Sequence, residues 1–242
     1  MKERVSRVII MLLFALLAFL PTAPTASADW SGGHVGAALE STSRKWFFAE
    51  GTTRAGFEEW VCVLNPGDAP CELTFRFLLP EGEAEPFRAV TGPHSRFTLN
   101  VGEAAGPGLD VSVVVEAGEQ VAAERAMYFR YGPGGWAGGH CEHGAVSPSK
   151  EWLFAEGTTR EGFEEWLTVL NPNPEPVTFK VTYAFGGDGA TERSYQVAEE
   201  SRLSIEVAGE VGRGRDVSVI VDSPLPLMVE RPMYFLYQGR WA

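Results

Sequence analysis

The stretch "WFFAEGTTRAGFEEW", residues 46–60, decides the fold because the chain contains it twice. The second copy, "WLFAEGTTREGFEEW", occupies residues 152–166 and differs at two of fifteen positions. The same offset of 106 residues aligns shorter words, namely "NP" at 65 and 171, "SR" at 95 and 201, "DVSV" at 110 and 216, and "ERAMYF" at 124 with "ERPMYF" at 230. A constant offset over a whole unit indicates tandem duplication of one domain.

The offset predicts two repeats, residues 29–135 and residues 136–242. The final Trp241-Ala242 also matches Trp136-Ala137, the opening of the second repeat. We therefore expect the sequence to stop at the start of a third unit. The alternative is that Trp241 is the last residue of a closing strand.

Within each repeat, hydrophobic residues alternate with polar ones, as in strands with one buried face. In "SRFTLNV", for example, Phe97, Leu99 and Val101 alternate with polar residues. Gly, Pro, Asn and Asp clusters separate the runs, and no window has a convincing helical period. The strands predicted in repeat 2 are 152–155, 164–170, 177–185, 192–198, 202–207, 216–222 and 227–237. About seven short strands in about 100 residues predict an all-β chain of two tandem immunoglobulin-like antiparallel sandwiches after a signal peptide.

The N-terminus has the features of that signal peptide. Lys2, Arg4 and Arg7 precede an apolar run, residues 8–20, and "ASA" at 26–28 is a cleavage site of small residues. The run is shorter than the roughly 20 residues that span a bilayer. We predict a signal peptide over residues 1–28, no membrane span after its cleavage, and a secreted or cell-surface location. A retained membrane anchor is the alternative.

The net charge of the chain restricts the classes of partner that we expect it to bind. The full sequence has a formal net charge of −12, and removing residues 1–28 takes away three basic residues and one acidic residue, which leaves −14. Nucleic acids and anionic membranes select for basic patches, so this acidity argues against both as partners.

The ordered words "FAEGTT", "NP", "SR", "DVSV" and "ERPMYF", with "GGH" between units, resemble repeats of secreted and surface proteins from Actinobacteria and related bacteria. The resemblance covers essentially all of the chain after the signal peptide. It implies β-sandwich repeats in series or appended to other domains, and it supplies no catalytic residues.

The carboxylates of the doubled stretch favour a structural role. Adjacent residues on a strand point to opposite faces, so Glu58 and Glu59 cannot converge on one bond. A pairing of Glu50 with Glu58 stays open, although no catalytic site is assembled and we expect no enzyme. We predict ion pairs across strands instead: Glu50 or Glu124 with Arg96 or Arg125, and Glu156 or Glu230 with Arg202 or Arg231.

The segment "GGHCEHG", residues 138–144, offers His140 and His143 as weak metal ligands. Zinc ligands usually come as spaced pairs from two elements, and no second Cys or His cluster occurs in the sequence. Calcium held by Asp110 or Asp216 is a further weak alternative, without the spacing of a known calcium loop. We predict a glycine-rich turn and no cofactor.

Two of the three cysteines, Cys62 and Cys71, flank the turn "NPGDAP" and lie about equally far from its centre near Pro66-Gly67. Opposed positions on a hairpin bring their Cβ atoms within reach of a bridge, and export favours oxidation. We therefore predict a Cys62–Cys71 disulfide. Cys141 is left over, as a free thiol or for intermolecular pairing.

Trp60 and Trp166 alternate out of phase with the buried residues of their strands, so we expect them to face solvent, a ligand or the neighbouring domain. The predicted function is a non-catalytic structural spacer or adhesive module at the cell surface, with cell-wall or extracellular polysaccharide or neighbouring repeats as partners. The alternative is a carbohydrate-binding accessory region of a longer exported enzyme.

Overall fold

The computed structural model describes residues 34, 36–130, 138–187, 189–237 and 240–241. They belong to one compact unit, Ser31–Ala242. The predicted signal peptide, residues 1–28, and the predicted repeat boundary at 135–136 lie outside the described residues. In the described part of the chain, no helix is long and apolar enough to cross a membrane.

Strands dominate both repeats. The first comprises β1 (Ser43–Phe48), β2 (Phe57–Asn65), β3 (Cys71–Leu79), β4 (Gly82–Glu83), β5 (Phe87–Thr91), β6 (Ser95–Asn100), helix α1 (Val101–Ala105), β7 (Ser112–Phe129) and β8 (Gly138–His143). The second comprises β9 (Ser149–Phe154), β10 (Phe163–Asn171), β11 (Val177–Phe185), β12 (Gly189–Val197), β13 (Ser201–Glu206), helix α2 (Val207–Val211), β14 (Val217–Glu230), β15 (Met233–Tyr237) and β16 (Arg240–Trp241).

Each repeat is a sandwich of two antiparallel layers that share one long strand. In the first repeat, residues 112–117 of β7 pair with β3 and most of β1, whereas residues 122–129 pair with β2 and β8. β14 has the same role in the second repeat, between β9 and β11 in one layer and beside β10 in the other. The predicted fold class, two tandem all-β sandwiches, is confirmed.

The alternating hydrophobic residues fill the space between the layers. Val61 and Val63 of β2 are fully buried, as are Leu167 and Val169 at the equivalent positions of β10. The indole of Trp46 also points inward and donates to the Val121 carbonyl at 3.0 Å. Burial of each such aliphatic side chain stabilises the fold by roughly 1.5–3 kcal/mol.

The last strands of repeat 2 differ from the prediction. The runs expected at 216–222 and 227–237 are instead the continuous β14, with a register shift between Asp222 and Leu227, followed by β15. Pro232 separates β14 from β15, because proline has no N–H to donate to a sheet. Ala126 occupies the equivalent position in repeat 1, where β7 continues unbroken. The two five-residue helices are too short to produce a periodic pattern.

The predicted Cys62–Cys71 disulfide is wrong, since both cysteines are free. β2 and β3 do not form a hairpin: β2 pairs with β6 and β7, whereas β3 lies in the opposite layer with β5 and β7. Cys71 is buried in the core, whereas Cys62 lies on the outer side of its layer beside Arg96. The turn between them crosses from one layer to the other, so the two side chains point apart.

β8 connects the repeats. The 106-residue offset assigns residues 138–143 to repeat 2, yet they pair with Glu124–Phe129 at the edge of the first sandwich. Beyond β8, Ala145 exchanges two backbone hydrogen bonds with Phe47 of β1, at 2.8 and 3.0 Å. The described part of the connection, β8 and Ala145, is therefore part of the first sandwich.

Candidate functional site: the junction between the repeats

The doubled stretch forms a strand, a loop and a second strand in each repeat. In the first loop, Ala49–Thr53, the Thr53 hydroxyl donates to the Gly106 carbonyl at 2.7 Å and its backbone N–H donates to the Leu109 carbonyl at 2.8 Å. The equivalent threonine of the second loop, Ala155–Thr159, makes the same two bonds. We call these segments loop 49–53 and loop 155–159. Their threonines fix both loops to the chain that follows the short helix.

A glycine in each loop permits very close packing. A Cβ atom on Gly51 would collide with the Val111 carbonyl and with the carboxylate of Glu59. Gly157 is equally confined by Val217 and Glu165. The glycine of "AEGTT" is therefore required where the loop passes over a buried glutamate.

The asparagine of the "NP" motif is also structural. The side-chain amide of Asn65 donates to the carbonyls of Ala69 and Gly92, both at 2.8 Å. Asn171 bridges the equivalent two turns of repeat 2. One buried side chain thus ties together two turns in each sandwich.

The two loops differ in what covers them. We define the second outer face as the residues of β10, β13 and β14 that point away from the core of repeat 2: Trp166, Thr168, Leu170, Arg202, Ser204, Met228 and Glu230. Loop 49–53 lies on this face. Arg202 Nη1 donates to the Gly51 carbonyl at 2.7 Å, and Glu230 Oε2 accepts from the Glu50 backbone N–H at 2.8 Å.

Arg125 completes the polar part of the junction. Its Nη1 lies 2.7 Å from Glu230 Oε2 and 2.6 Å from the Glu50 carbonyl oxygen. Arg125 and Arg202 are each only 3% exposed. Guanidinium groups buried this deeply require hydrogen-bonded partners, and each of these two has one from the other repeat: Glu230 for Arg125 and the Gly51 carbonyl for Arg202.

An apolar cluster surrounds these charges. Phe47 and Ala49 of repeat 1 pack with Leu170 and Met228 of repeat 2, and Leu78 and Val114 of repeat 1 complete the cluster. Hydrophobic contact and paired charge therefore both hold the junction closed.

Beneath loop 49–53 lies an unusual carboxyl group. Glu59 is 1% exposed, and neither of its oxygens has a hydrogen-bond partner among the described residues. Burial raises its pKa to about 8, against the smaller opposing effect of Arg125. Burial also raises the pKa of Glu50, against Arg202 and Arg125.

The predicted ion-pair residues are divided between the junction and the surface. Arg125 pairs with Glu230, and Arg202 Nη2 lies 3.8 Å from the Glu50 carboxylate, both between repeats. Arg231 pairs with Glu156 at 3.0 Å within repeat 2.

The remaining two of these residues, Arg96 and Glu124, lie on the outside of repeat 1. Arg96 donates to Thr98 and to the sulfur of Cys62, both at 2.9 Å. Glu124 lies 3.8 Å from the sulfur of Cys141. In the doubled stretch, Glu58 is exposed and Glu59 is buried, so these two carboxylates diverge.

His140 and His143 line a cleft of about 420 Å³ beside the junction, together with Arg125 and Glu230. Burial lowers the pKa of His140 to about 3, with further lowering by Arg125 and His34. Among the residues described, no group of three or more His, Cys, Asp or Glu side chains is arranged to hold a metal ion. Asp110, named above for calcium, instead pairs with Arg54 at 2.6 Å.

Trp60 and Trp166 occupy different environments. Trp60 is partly exposed on the outside of β2. Trp166 is also partly exposed, but it shares a small cleft at the junction with Gly51, Arg202 and Tyr234. The two out-of-phase tryptophans are therefore not equivalent surfaces.

No protein-family model and no curated protein matches the chain. Among solved structures, Thermotoga maritima 1070 is similar over 43% of this chain and 94% of its own, with 20% identity and a TM-score of 0.40. The Anabaena sensory rhodopsin transducer is similar over 36% of this chain and 99% of its own, with 19% identity and a TM-score of 0.32. The tandem CBM22-1–CBM22-2 domain of Paenibacillus barcinonensis Xyn10C covers 81% of this chain and 85% of its own, with 9% identity and a TM-score of 0.24. These scores are too low to assign a family or a function.

Sequence reasoning missed the apolar part of the junction. Leu170 and Met228 are out of phase with the core residues of their strands, and both are buried only because repeat 1 covers them. Such outward hydrophobic residues are the available signal. Repeat 1 has Leu64 and Ala122 at the equivalent positions, so the sequence alone does not say which face is covered.

Proposed function

We propose that this protein is a secreted, non-catalytic spacer or adhesive module at the cell surface. The observation that carries the proposal is the junction, in which loop 49–53 is buried on the second outer face. Two sandwiches joined by paired charges and an apolar cluster resist bending better than two domains on a flexible linker. A protein that holds another element at a fixed distance from a surface needs that property.

The chemistry of the buried carboxylates supports a non-catalytic role. Glu50 is 6% exposed and Glu59 is 1% exposed, so neither is open to a substrate. Glu50 is engaged by Arg202 of the other repeat, and the raised pKa of Glu59 follows from burial. Structural networks perturb pKa values as catalytic sites do, and these residues form such a network.

Export and surface location are tested by expressing the full chain with a C-terminal tag in an exporting bacterial host. The expected product begins at Asp29 and is recovered from the medium or the wall fraction. Recovery of the uncleaved chain from the cytoplasm would contradict the proposal.

The spacer role is tested by small-angle X-ray scattering of the mature chain. We expect the profile of one rigid body. Leu170→Asp should open the junction and increase the radius of gyration, because a charge would face Phe47 and Met228. Leu64→Asp, at the equivalent uncovered position, is the matched control and should leave the profile unchanged. Equal profiles for all three proteins would remove the support that the junction gives to the spacer.

Carbohydrate binding is the second candidate. It is favoured by Trp60, which is partly exposed on the same face as Tyr128, itself 45% exposed. Partly exposed Trp and Tyr side chains combine an apolar ring with a polar N–H or O–H group, which suits contact with carbohydrate. In titrations with cell-wall and plant polysaccharides, saturable binding that Trp60→Ala removes and Trp166→Ala retains would establish this function in place of the spacer.

A further inference from the structure

The second outer face has an uncovered counterpart in repeat 1. We define the first outer face as the residues found 106 positions earlier: Trp60, Cys62, Leu64, Arg96, Thr98, Ala122 and Glu124. Leu64 is 49% exposed, whereas the equivalent Leu170 is fully buried. Arg96 is exposed, whereas the equivalent Arg202 is buried under loop 49–53.

The complementary element is uncovered as well. Around loop 155–159, Leu153 is 66% exposed, whereas the equivalent Phe47 is 4% exposed. The Glu156 side chain is 67% exposed and that of Glu50 only 9%. The structure therefore has one fully buried loop on one covered face, and an equivalent free face together with an equivalent loop in which Ala155 and Glu156 are exposed.

The polar groups that close the junction are present at the free positions. Arg96 and Glu124 stand where the covered face has Arg202 and Glu230. Arg96 donates to Thr98, as Arg202 does to the equivalent Ser204, and its second bond, to the sulfur of Cys62, takes the place of the bond from Arg202 to a backbone carbonyl. On the loop side, Arg231 occupies the place of Arg125, and its Nη1 pairs with the exposed Glu156.

We propose that loop 155–159 of one molecule docks on the first outer face of a second copy of this chain, through the contacts that loop 49–53 makes within the chain. The Arg96 side chain of the second copy donates to the Gly157 carbonyl. Its Glu124 accepts from the Glu156 backbone N–H and pairs with Arg231. Because the two surfaces differ, the interface is heterologous and leaves a free loop and a free face at opposite ends.

The external contact is weaker than the internal one. Ala122 replaces Met228 and Leu153 replaces Phe47, which alters the apolar cluster, and no covalent connection holds the partners together. Association between free molecules also costs translational and rotational freedom that the tethered junction does not lose. Assembly is therefore concentration-dependent in solution and is favoured where copies are crowded on a surface.

The test is sedimentation velocity of the purified mature chain, from micromolar concentrations to about 1 mM, the weak end of specific association. We expect monomers at low concentration and a growing series of oligomers at high concentration. Arg96→Glu and Glu156→Arg should each weaken assembly by more than about tenfold, since each places like charges together. Both positions are exposed, and unchanged melting temperatures would show that the variants fold.

The decisive result is rescue. An equimolar mixture of the Arg96→Glu and Glu156→Arg proteins restores an opposite charge pair at every contact, so the mixture should assemble although each variant alone does not. A chain that remains monomeric throughout, or assembly that both variants leave unchanged, would overturn the proposal. The inference rests on repeat geometry and not on surface location, so failure of export leaves it standing, and a monomeric result leaves the export test unaffected.

Discussion

Loop 49–53 and loop 155–159 have the same sequence, "AEGTT", and the same internal hydrogen bonds, yet the first is buried throughout, whereas the alanine and glutamate of the second are exposed. What they share is what the sandwich requires: the threonine bonds and the glycine packed over a buried glutamate. What separates them is contact with a second domain. The comparison divides the residues of a repeated motif into those that fold the repeat and those that join repeats.

The largest expected difference between the two repeats is in the pH dependence of stability that their buried glutamates confer. Burial raises the pKa of Glu59 to about 8 from an ordinary value of 4.5. The folded state therefore keeps a proton that the unfolded state loses, so the contribution of this one carboxyl group to stability is greatest below pH 4.5 and falls by about 1.4 kcal/mol per pH unit up to about pH 8. Glu59→Gln should remove this loss and stabilise the chain by up to roughly 5 kcal/mol at pH 8.

Urea unfolding at a series of pH values checks this prediction. Glu165→Gln is the matched variant in repeat 2, and its effect should end earlier, since burial raises the pKa of Glu165 to about 7. Identical pH profiles for the wild type and Glu59→Gln would contradict a buried, protonated Glu59.

The next largest effect concerns the two arginines of "ERAMYF" and "ERPMYF". Arg125→Ala leaves Glu230, whose side chain is 17% exposed, beside Glu50 without its counter-ion, and breaking a largely buried pair in this way typically costs about 3–5 kcal/mol. Arg231→Ala removes a pair in which the Glu156 side chain is 67% exposed, so the cost should be below about 1 kcal/mol. Equilibrium unfolding in urea measures both, and equal costs would show that burial does not distinguish the two sites.

A smaller difference in stability is expected between substitutions of the two equivalent leucines of the "VLNP" motif. Leu170→Ala should cost about 2–4 kcal/mol, because it creates a cavity beside Phe47 and Met228. Leu64→Ala should cost about 0.5 kcal/mol or less, because Leu64 is 49% exposed. The difference between their thermal midpoints is the readout. A costly Leu64→Ala would mean that the first outer face is already covered in solution.

The last prediction is that reduction does not change the thermal stability of the chain. Because Cys62 and Cys71 are free and lie in opposite layers, reducing agent should leave the melting temperature unaltered. Thiol labelling should modify Cys62 before the buried Cys71. A melting temperature that falls on reduction would restore the bridge expected from the sequence.

The sequence was sufficient for the fold class and most strands, because alternation of residues such as Leu167 and Val169 reports directly on a buried face. It failed at Cys62 and Cys71, since equal spacing around a turn cannot distinguish a hairpin from a crossing between layers. The junction could not be predicted from the sequence, for a different reason. Residues of like type, Arg96 and Arg202, stand at equivalent positions, and only the three-dimensional arrangement shows that the second alone meets a neighbour.

Arg125 and Glu230 are 105 residues apart, and each belongs to a different repeat. During synthesis the first repeat therefore emerges with Arg125 unmatched, and its partner follows 105 residues later. Formation of the ion pair that closes the junction is therefore a late step in folding. The first sandwich can form early, but the two repeats pack together only after the second has been synthesised.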